Sequence, residues 1–381
     1  MTEPAVADKP VHFMNLDVLR LIAAMMVLLA HAFEGWVGWW GVPGFMSVGD
    51  YKTLNQGGVY LDNFIRNGGF GVDVFFLISG FLITYLMLVE KKMTGKINLG
   101  KFYLRRTFRI WPLYYFLVAI APLLIKWMHK TPPDYWYTIL FWNNFHAIHT
   151  EQWAFPFAHF WSICIEEHFY IVWPLLVAFF PYKRLPQVFF TVIIISIASR
   201  GFFAINGDGY YYQYLHTFSR MDMLAWGALG AWYHFEKPIV LNVSRWSRIL
   251  VYLLFIAMYS YEHYNIYDTV FLACFRKYFY CGIAAFAMAN YLFNPDAFFN
   301  FKKKNILHYL GKVSYGIYMY SNILLIIIIE KVMLRFGYTN MYLFFFLNIV
   351  VTLVVAAISY ETLEKFFLKL KTRFEVVKTK R

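Results

Sequence analysis

The stretch Leu16 to Glu34, LDVLRLIAAMMVLLAHAFE, decides how the rest of the chain is read. It is an apolar run long enough to span a bilayer, yet it holds two ionisable groups, Arg20 and His31. Eleven positions at 3.6 residues per turn is close to three whole turns, so both side chains leave a helix on the same face, about 16 Å apart along its axis. Ionisable groups at membrane depth are costly and usually face a bundle interior or a wet cavity, so each is a candidate functional group. The alternative is an Arg20 that snorkels to the membrane surface and a His31 that hydrogen-bonds a neighbouring helix for structural reasons.

Composition supports that reading. Of 381 residues, 60% are apolar and 15% charged, against about 45–50% and about 25% in soluble domains. The chain is therefore expected to be an all-α, polytopic integral membrane protein. A net charge of +13 raises nucleic acid as a partner, but the basic residues fall in short runs between apolar segments and form no basic domain, so no nucleic-acid role is expected. Cys164, Cys274 and Cys281 all lie in apolar runs, with no CxxC pair, which points to packing and to no metal site. Glu3, Asp8 and Lys9 precede the first apolar run, and Glu34 and Gly35 follow it without a small-residue cleavage site, so the run reads as an uncleaved anchor.

Ten stretches are long and apolar enough to span, at about 16–34, 70–90, 109–127, 160–181, 187–206, 217–235, 249–264, 270–293, 307–329 and 343–366. With the N-terminus inside, the inner segments carry 23 Lys and Arg and the outer connections five. The positive-inside rule thus predicts N-in and C-in. We expect one membrane-embedded domain over 1–381, with a core at 10–370 and a basic cytoplasmic tail at 371–381. No internal repeat is visible, so the inverted-repeat plan common in transporters has no support.

Two outer connections are long. Residues 35–69 hold nine of the 22 glycines with Trp36, Trp39, Trp40, Tyr51 and Tyr60, and 128–159 hold Trp136, Trp142, Trp153, His146 and His149. Such loops are either functional or an aromatic belt at the headgroup level.

Further polar groups sit inside the apolar runs. Asp73, in NGGFGVDVFFLISGFL, is expected at a depth similar to His31, where a carboxylate would fix the imidazole tautomer. Arg105, Arg106 and Arg109, in KFYLRRTFRIWP, mark the inner start of the third span. Guanidinium groups bind phosphate bidentately, so this patch suits a phosphorylated cytosolic ligand, although topology alone would also place arginines there. Glu166 and Glu167 open the fourth span, and Arg220 with Asp222, read as a compensating pair, opens the sixth. His31, Asp73, Glu166, Arg220 and Asp222 all come out in the outer half of the membrane, which predicts a shared polar cavity.

Taken together, NLDVLRLIAAMMVLLAH, GVDVFFLISGFLIT, FYLRRTFRIWP, WSICIEEHFYIVWP, FSRMDMLAWGAL and LGKVSYGIYMY resemble, in that order, the motifs of the acyltransferase-3 family of integral membrane acyltransferases. The resemblance covers nearly the whole chain. It implies about ten membrane helices and transfer of an acyl group, commonly acetyl from acetyl-CoA, to a hydroxyl of a cell-envelope glycan or related molecule. It also implies that His31 is catalytic, that Arg20 supports it, and that Arg106 and Arg109 hold the donor. Two positions depart from the pattern. Ser321 stands where the family has a histidine after Tyr-Leu-Trp, and Glu364 is followed by Lys365 and Phe366 where the family has Glu-x-Pro. The chain ends in a short basic tail, so the stand-alone form without a hydrolase-like domain is expected.

The expected chemistry follows. Acyl-CoA, as donor substrate and not a tightly bound cofactor, would dock its phosphates at Arg105, Arg106, Arg109 and Arg20, with the pantetheine arm threading toward His31. His31 would act as general base toward a hydroxyl, or be acylated first, with Asp73 and Glu166 as further catalytic groups. The other expected partners are a glycan or lipid-linked sugar acceptor and the lipids of a bacterial inner membrane. A transporter or flippase for a lipid-linked sugar, with the same polar groups serving binding and proton coupling, is the competing reading. Three His-x4-Asp pairs, His12/Asp17, His129/Asp134 and His263/Asp268, lie at membrane edges and read as chance, and neither a serine-hydrolase nor a zinc-protease motif is present.

Overall fold

The computed structural model describes residues 13, 15–40, 63–239, 241–261, 269–294, 296–297, 301 and 304–377. The described residues are all-helical, 83% of them lying in helix, with no strand. The long helices are α1 (Asn15–Trp40), α2 (Gly71–Thr94), α3 (Leu99–Trp127), α6 (Trp161–Phe179), α7 (Leu185–Ile205), α9 (Thr217–Glu236), α10 (Arg245–Tyr261), α11 (Val270–Phe293), α12 (Ile306–Ile327) and α13 (Met341–Ser359). Short helices α4 (Tyr135–Ile139), α5 (Asn143–Thr150), α8 (Tyr210–Leu215) and α14 (Lys365–Thr372) complete the set.

The chain is an integral membrane protein. Eight helical segments among the described residues are long and apolar enough to cross a bilayer. The other two expected spans are also helices, but α9 carries Arg220, Asp222 and Glu236, and α10 has 17 residues with Arg245 and Arg248 in its first turn. In a bilayer every backbone polar group must be satisfied within the segment, and helices do this unaided.

The connection between α2 and α3 is much tighter than the sequence reading allows. Gly95 ends α2 at φ +75°, the left-handed cap that glycine favours, and Asn98 then caps α3 by accepting from the Lys101 amide. The helix thus begins at Leu99, ten residues before the expected span. Arg105, Arg106 and Arg109 therefore stand two to three turns up a helix and are held by it.

Helix α1 is central, packing against α2, α11, α12 and α13. Small residues permit the close approaches. A Cβ on Gly71 would collide with the Ala23 carbonyl of α1, and Gly80 of α2 and Gly227 of α9 each lie against the other helix's backbone, at Leu224 and Leu77. Inside a bilayer, lipid is as apolar as the helix surface, so such packing is what associates helices.

The two long outer connections resolve differently. Residues 41–62, with Tyr51 and Tyr60, and the side chains of Trp39 and Trp40 lie outside the described residues. Trp36 belongs to α1 and is buried against Phe344, so it is no belt residue. Residues 128–159 fold as α4 and α5. Tyr114 donates to the Thr138 carbonyl at 2.6 Å, and Asn144 donates to the Leu215 carbonyl at 3.2 Å. Trp136, Trp142 and Trp153 are exposed, as either sequence reading requires. Cys164, Cys274 and Cys281 are free and buried.

Candidate active site

One cavity, of about 230 Å³, runs between α1, α2, α3, α6, α12 and α14. At the end of the bundle where α1 and α12 begin and α14 packs, its walls carry Asp17, Arg20, Arg106, Arg109, Lys312 and Lys371. Farther in come Ser79, Glu166 and Tyr170, and then Val72, Ser162 and Tyr318. Helical spacing explains the selection: Val72, Phe76 and Ser79 lie one and two turns apart on one face of α2, as do Ser162 and Glu166 on α6.

Arg20 is held by Asp17, one turn back, at 3.0 Å. Glu166 accepts from Ser79 Oγ at 2.9 Å and from Tyr170 OH at 3.1 Å, and the Arg106 guanidinium lies 5.6 Å from the Tyr170 ring centre. Glu167, rotated about 100° round α6, leaves the cavity and faces Trp111 Nε1 at 3.4 Å. Four of the residues singled out by sequence, Arg20, Arg106, Arg109 and Glu166, are thus brought to one space.

His31 is half-buried and lines a second cavity of about 280 Å³, with Glu34, Gly35 and Asn322. Between the two cavities lies a thin polar partition. The His31 and His159 rings meet edge to face, with centres 6.2 Å apart. His159 Nε2 is 2.9 Å from the Met319 carbonyl, an acceptor, so that nitrogen carries the proton and Nδ1 presents a lone pair. Tyr318 OH, on the wall of the first cavity, donates to the His159 carbonyl at 2.7 Å and lies 2.6 Å from Ser162 Oγ. His159, Ser162 and Tyr318 were not singled out from sequence. The available signal was His159 just before the WSICIEEHFY run.

Three expectations about site residues are corrected. Asp73 does not pair with His31. Its carboxylate lies 3.1 Å from Arg220 and 3.0 Å from Lys277, all three groups fully buried. The cause is helix phase: Gly71 faces α1, and two residues on at 100° each Asp73 faces away from it, on the side of Gly80, toward α9. Arg105 is also committed elsewhere, to Glu90 at 2.9 Å and to the Phe374 carbonyl at 2.9 Å.

Nor do Arg220 and Asp222 compensate each other. Asp222 takes Arg200 at 2.7 Å, and Tyr278 donates to the same carboxylate at 2.8 Å. The single polar cavity expected from equal depths is therefore three separate places: the arginine-lined cavity, the His31 cavity and this buried ion-pair cluster. Ser321, at the family's histidine position, donates to the Tyr318 carbonyl within its own helix. Among the described residues no group of His, Cys, Asp and Glu could hold a metal ion.

The sequence model of a family described as an acyltransferase domain, of the acyltransferase-3 type, matches residues 14–361. The chain belongs to the acyltransferase-3 family. Within it, the chain is 29% identical over 333 residues to the O-acetyltransferase OatA of Staphylococcus aureus (strain NCTC 8325 / PS 47), covering 78% of this chain and 52% of that protein. It is 28% identical over 384 residues to SACOL0978 of Staphylococcus aureus (strain COL), named as a candidate O-acetyltransferase, covering 93% of this chain and 57% of that one. The chain spans a little over half the length of these curated relatives. No solved structure matches it.

Proposed function

We propose that the protein is a membrane O-acyltransferase that moves an acetyl group from acetyl-CoA, entering from the cytosol, to a hydroxyl of a cell-envelope glycan or lipid-linked sugar at the opposite face of a bacterial inner membrane. Family membership and the O-acetyltransferase names of its relatives support the reaction class. The observation that carries the mechanism is the run of the first cavity from three arginines at one end to Ser162 and Tyr318 at the other, one residue's thickness from His31.

The donor's shape suits that cavity. Its charged nucleotide end stays with Arg20, Arg106 and Arg109, whose guanidiniums bind phosphate as forks. The thin pantetheine arm passes Ser79 and Glu166 and brings the thioester to the partition. The acceptor hydroxyl enters the second cavity beside Glu34 and Asn322. When the arm displaces the Ser162 and Tyr318 side chains, so that the thioester carbon and the acceptor oxygen share the space beside His31, His31 takes the hydroxyl proton as the oxygen attacks the thioester carbon, the carbon–sulfur bond breaks, and the proton passes to the leaving thiolate. A positioned general base contributes about 10²–10⁴-fold. His159, its Nε2 held by the Met319 carbonyl, packs edge to face on the His31 ring and orients it for that step.

A direct test uses purified protein in proteoliposomes containing lipid-linked oligosaccharide and supplied with [14C]acetyl-CoA. Label transferred to the sugar is expected. A protein that moves the sugar across the bilayer and transfers no label is a flippase, and the proposal fails.

A further inference from the structure

The five cations on the walls of the first cavity are not equivalent. Arg20, Arg106 and Arg109 come from spanning helices, whereas Lys371 comes from α14, beyond residue 361 where the family match ends. Sequence reading sets residues 371–381 aside as a cytoplasmic tail. In the fold, α14 is docked on α3. Phe108 stacks on Phe374 with ring centres 5.6 Å apart and on Phe367 at 6.4 Å, and Arg105 binds the Phe374 carbonyl. That docking buries Lys371 and brings it, with Leu368, to the cavity wall, where α12 contributes Lys312. The α12 backbone closes this end tightly, because a Cβ at Gly311 would overlap the Asp17 carbonyl.

Resting on the acyl-CoA reading above, we infer that Lys312 and Lys371 form a second phosphate subsite at the mouth of the cavity, which takes the ribose 3′-phosphate of the donor while the arginines take the diphosphate. The charge balance supports a polyanion with more than a diphosphate: five cations line the cavity against the two carboxylates Asp17 and Glu166. One of those carboxylates is already 3.0 Å from Arg20. The chemistry of the side chains fits the division. A ribose monophosphate at the cavity mouth is met by ammonium point charges, whereas a diphosphate held in place is met by planar forks. Lys371 lies 3.7 Å from the carboxylate of Glu375, just past the end of α14.

The two donors acetyl-CoA and acetyl-dephospho-CoA differ only in that phosphate, so their ratio of kcat/KM isolates the subsite. The full chain should prefer acetyl-CoA by about tenfold or more, the scale of a charge-assisted contact. In the Lys312→Gln/Lys371→Gln double variant, checked for monodispersity, the ratio should fall to within about threefold of unity, and in the Lys312→Arg/Lys371→Arg variant the preference should persist. Equal use of both donors by the unaltered chain, or a ratio unchanged in the Gln variant, overturns the subsite and leaves the acyltransferase standing. No transfer from either donor by the unaltered chain instead removes the acyl-CoA reading, and the subsite falls with it.

Discussion

The Asp73 carboxylate lies 3.0 Å from Lys277 Nζ, with both side chains out of reach of water or lipid. One helix, α2, contributes the anion and another, α11, the cation. Arg220 joins them, and Asp222 with Arg200 continues the cluster. Breaking a buried pair by removing one partner leaves an uncompensated charge and typically costs about 3–5 kcal/mol. Asp73→Asn should therefore lower the thermal midpoint in detergent and the yield of folded protein. If Asp73→Asn instead gives protein of normal stability that lacks acyl transfer, Asp73 belongs to the chemistry after all.

The Gly80 and Gly227 contact between α2 and α9 predicts a packing defect at a distance from the site. Each Cβ would meet backbone, which cannot swing aside as a side-chain tip can. Gly227→Val should force α2 and α9 apart at a cost of about 1–3 kcal/mol or more, read as aggregation in gel filtration. A monodisperse variant of normal stability would show that the helices can separate freely.

Arg105 and Arg106 are neighbours with different work. Arg105→Ala should release the segment around Phe374 and leave Glu90 with only the Asn98 amide as partner, so limited proteolysis should trim the C-terminal segment sooner, with the donor KM rising only through that loosening. Arg106→Ala with Arg109→Ala should raise the donor KM by about tenfold to a hundredfold, two charge-assisted contacts being lost, without added protease sensitivity. Equal effects of the two changes on donor KM would contradict this division.

Much of the fold was legible because apolar runs and their charged ends are local properties. The spans at 270–293 and 307–329 match α11 and α12 to within two residues, and the span at 16–34 lies within α1, which runs on to Trp40. The site was legible where a polar residue has no reason to be in an apolar run, which is how Arg20, His31 and Glu166 stand out. It was not legible where the partner comes from a distant helix. Equal depth placed Asp73 beside His31, but helix rotation decides contacts, and Gly71 turned toward α1 fixes Asp73 on the other side. Arg200 and Lys277 carried the same signal as Asp73, a charge inside an apolar span, and could have been found by asking which cations balance the carboxylates. Lys371 gave none, since a basic residue after the last span reads as topology until α14 is seen to fold back.

The central claim is that His31, at the partition between the two cavities, performs the transfer. The most direct measurement supplies [14C]acetyl-CoA to inside-out membrane vesicles carrying the full chain or its His31→Ala variant and counts label in the envelope glycan fraction. Alanine fits an apolar helix, so the variant should insert and fold as the unaltered chain does. Label should appear with the unaltered chain and fall by about 10²-fold or more in the variant, the scale of a lost general base. Equal label from both proteins would contradict the account and take His31 out of the mechanism.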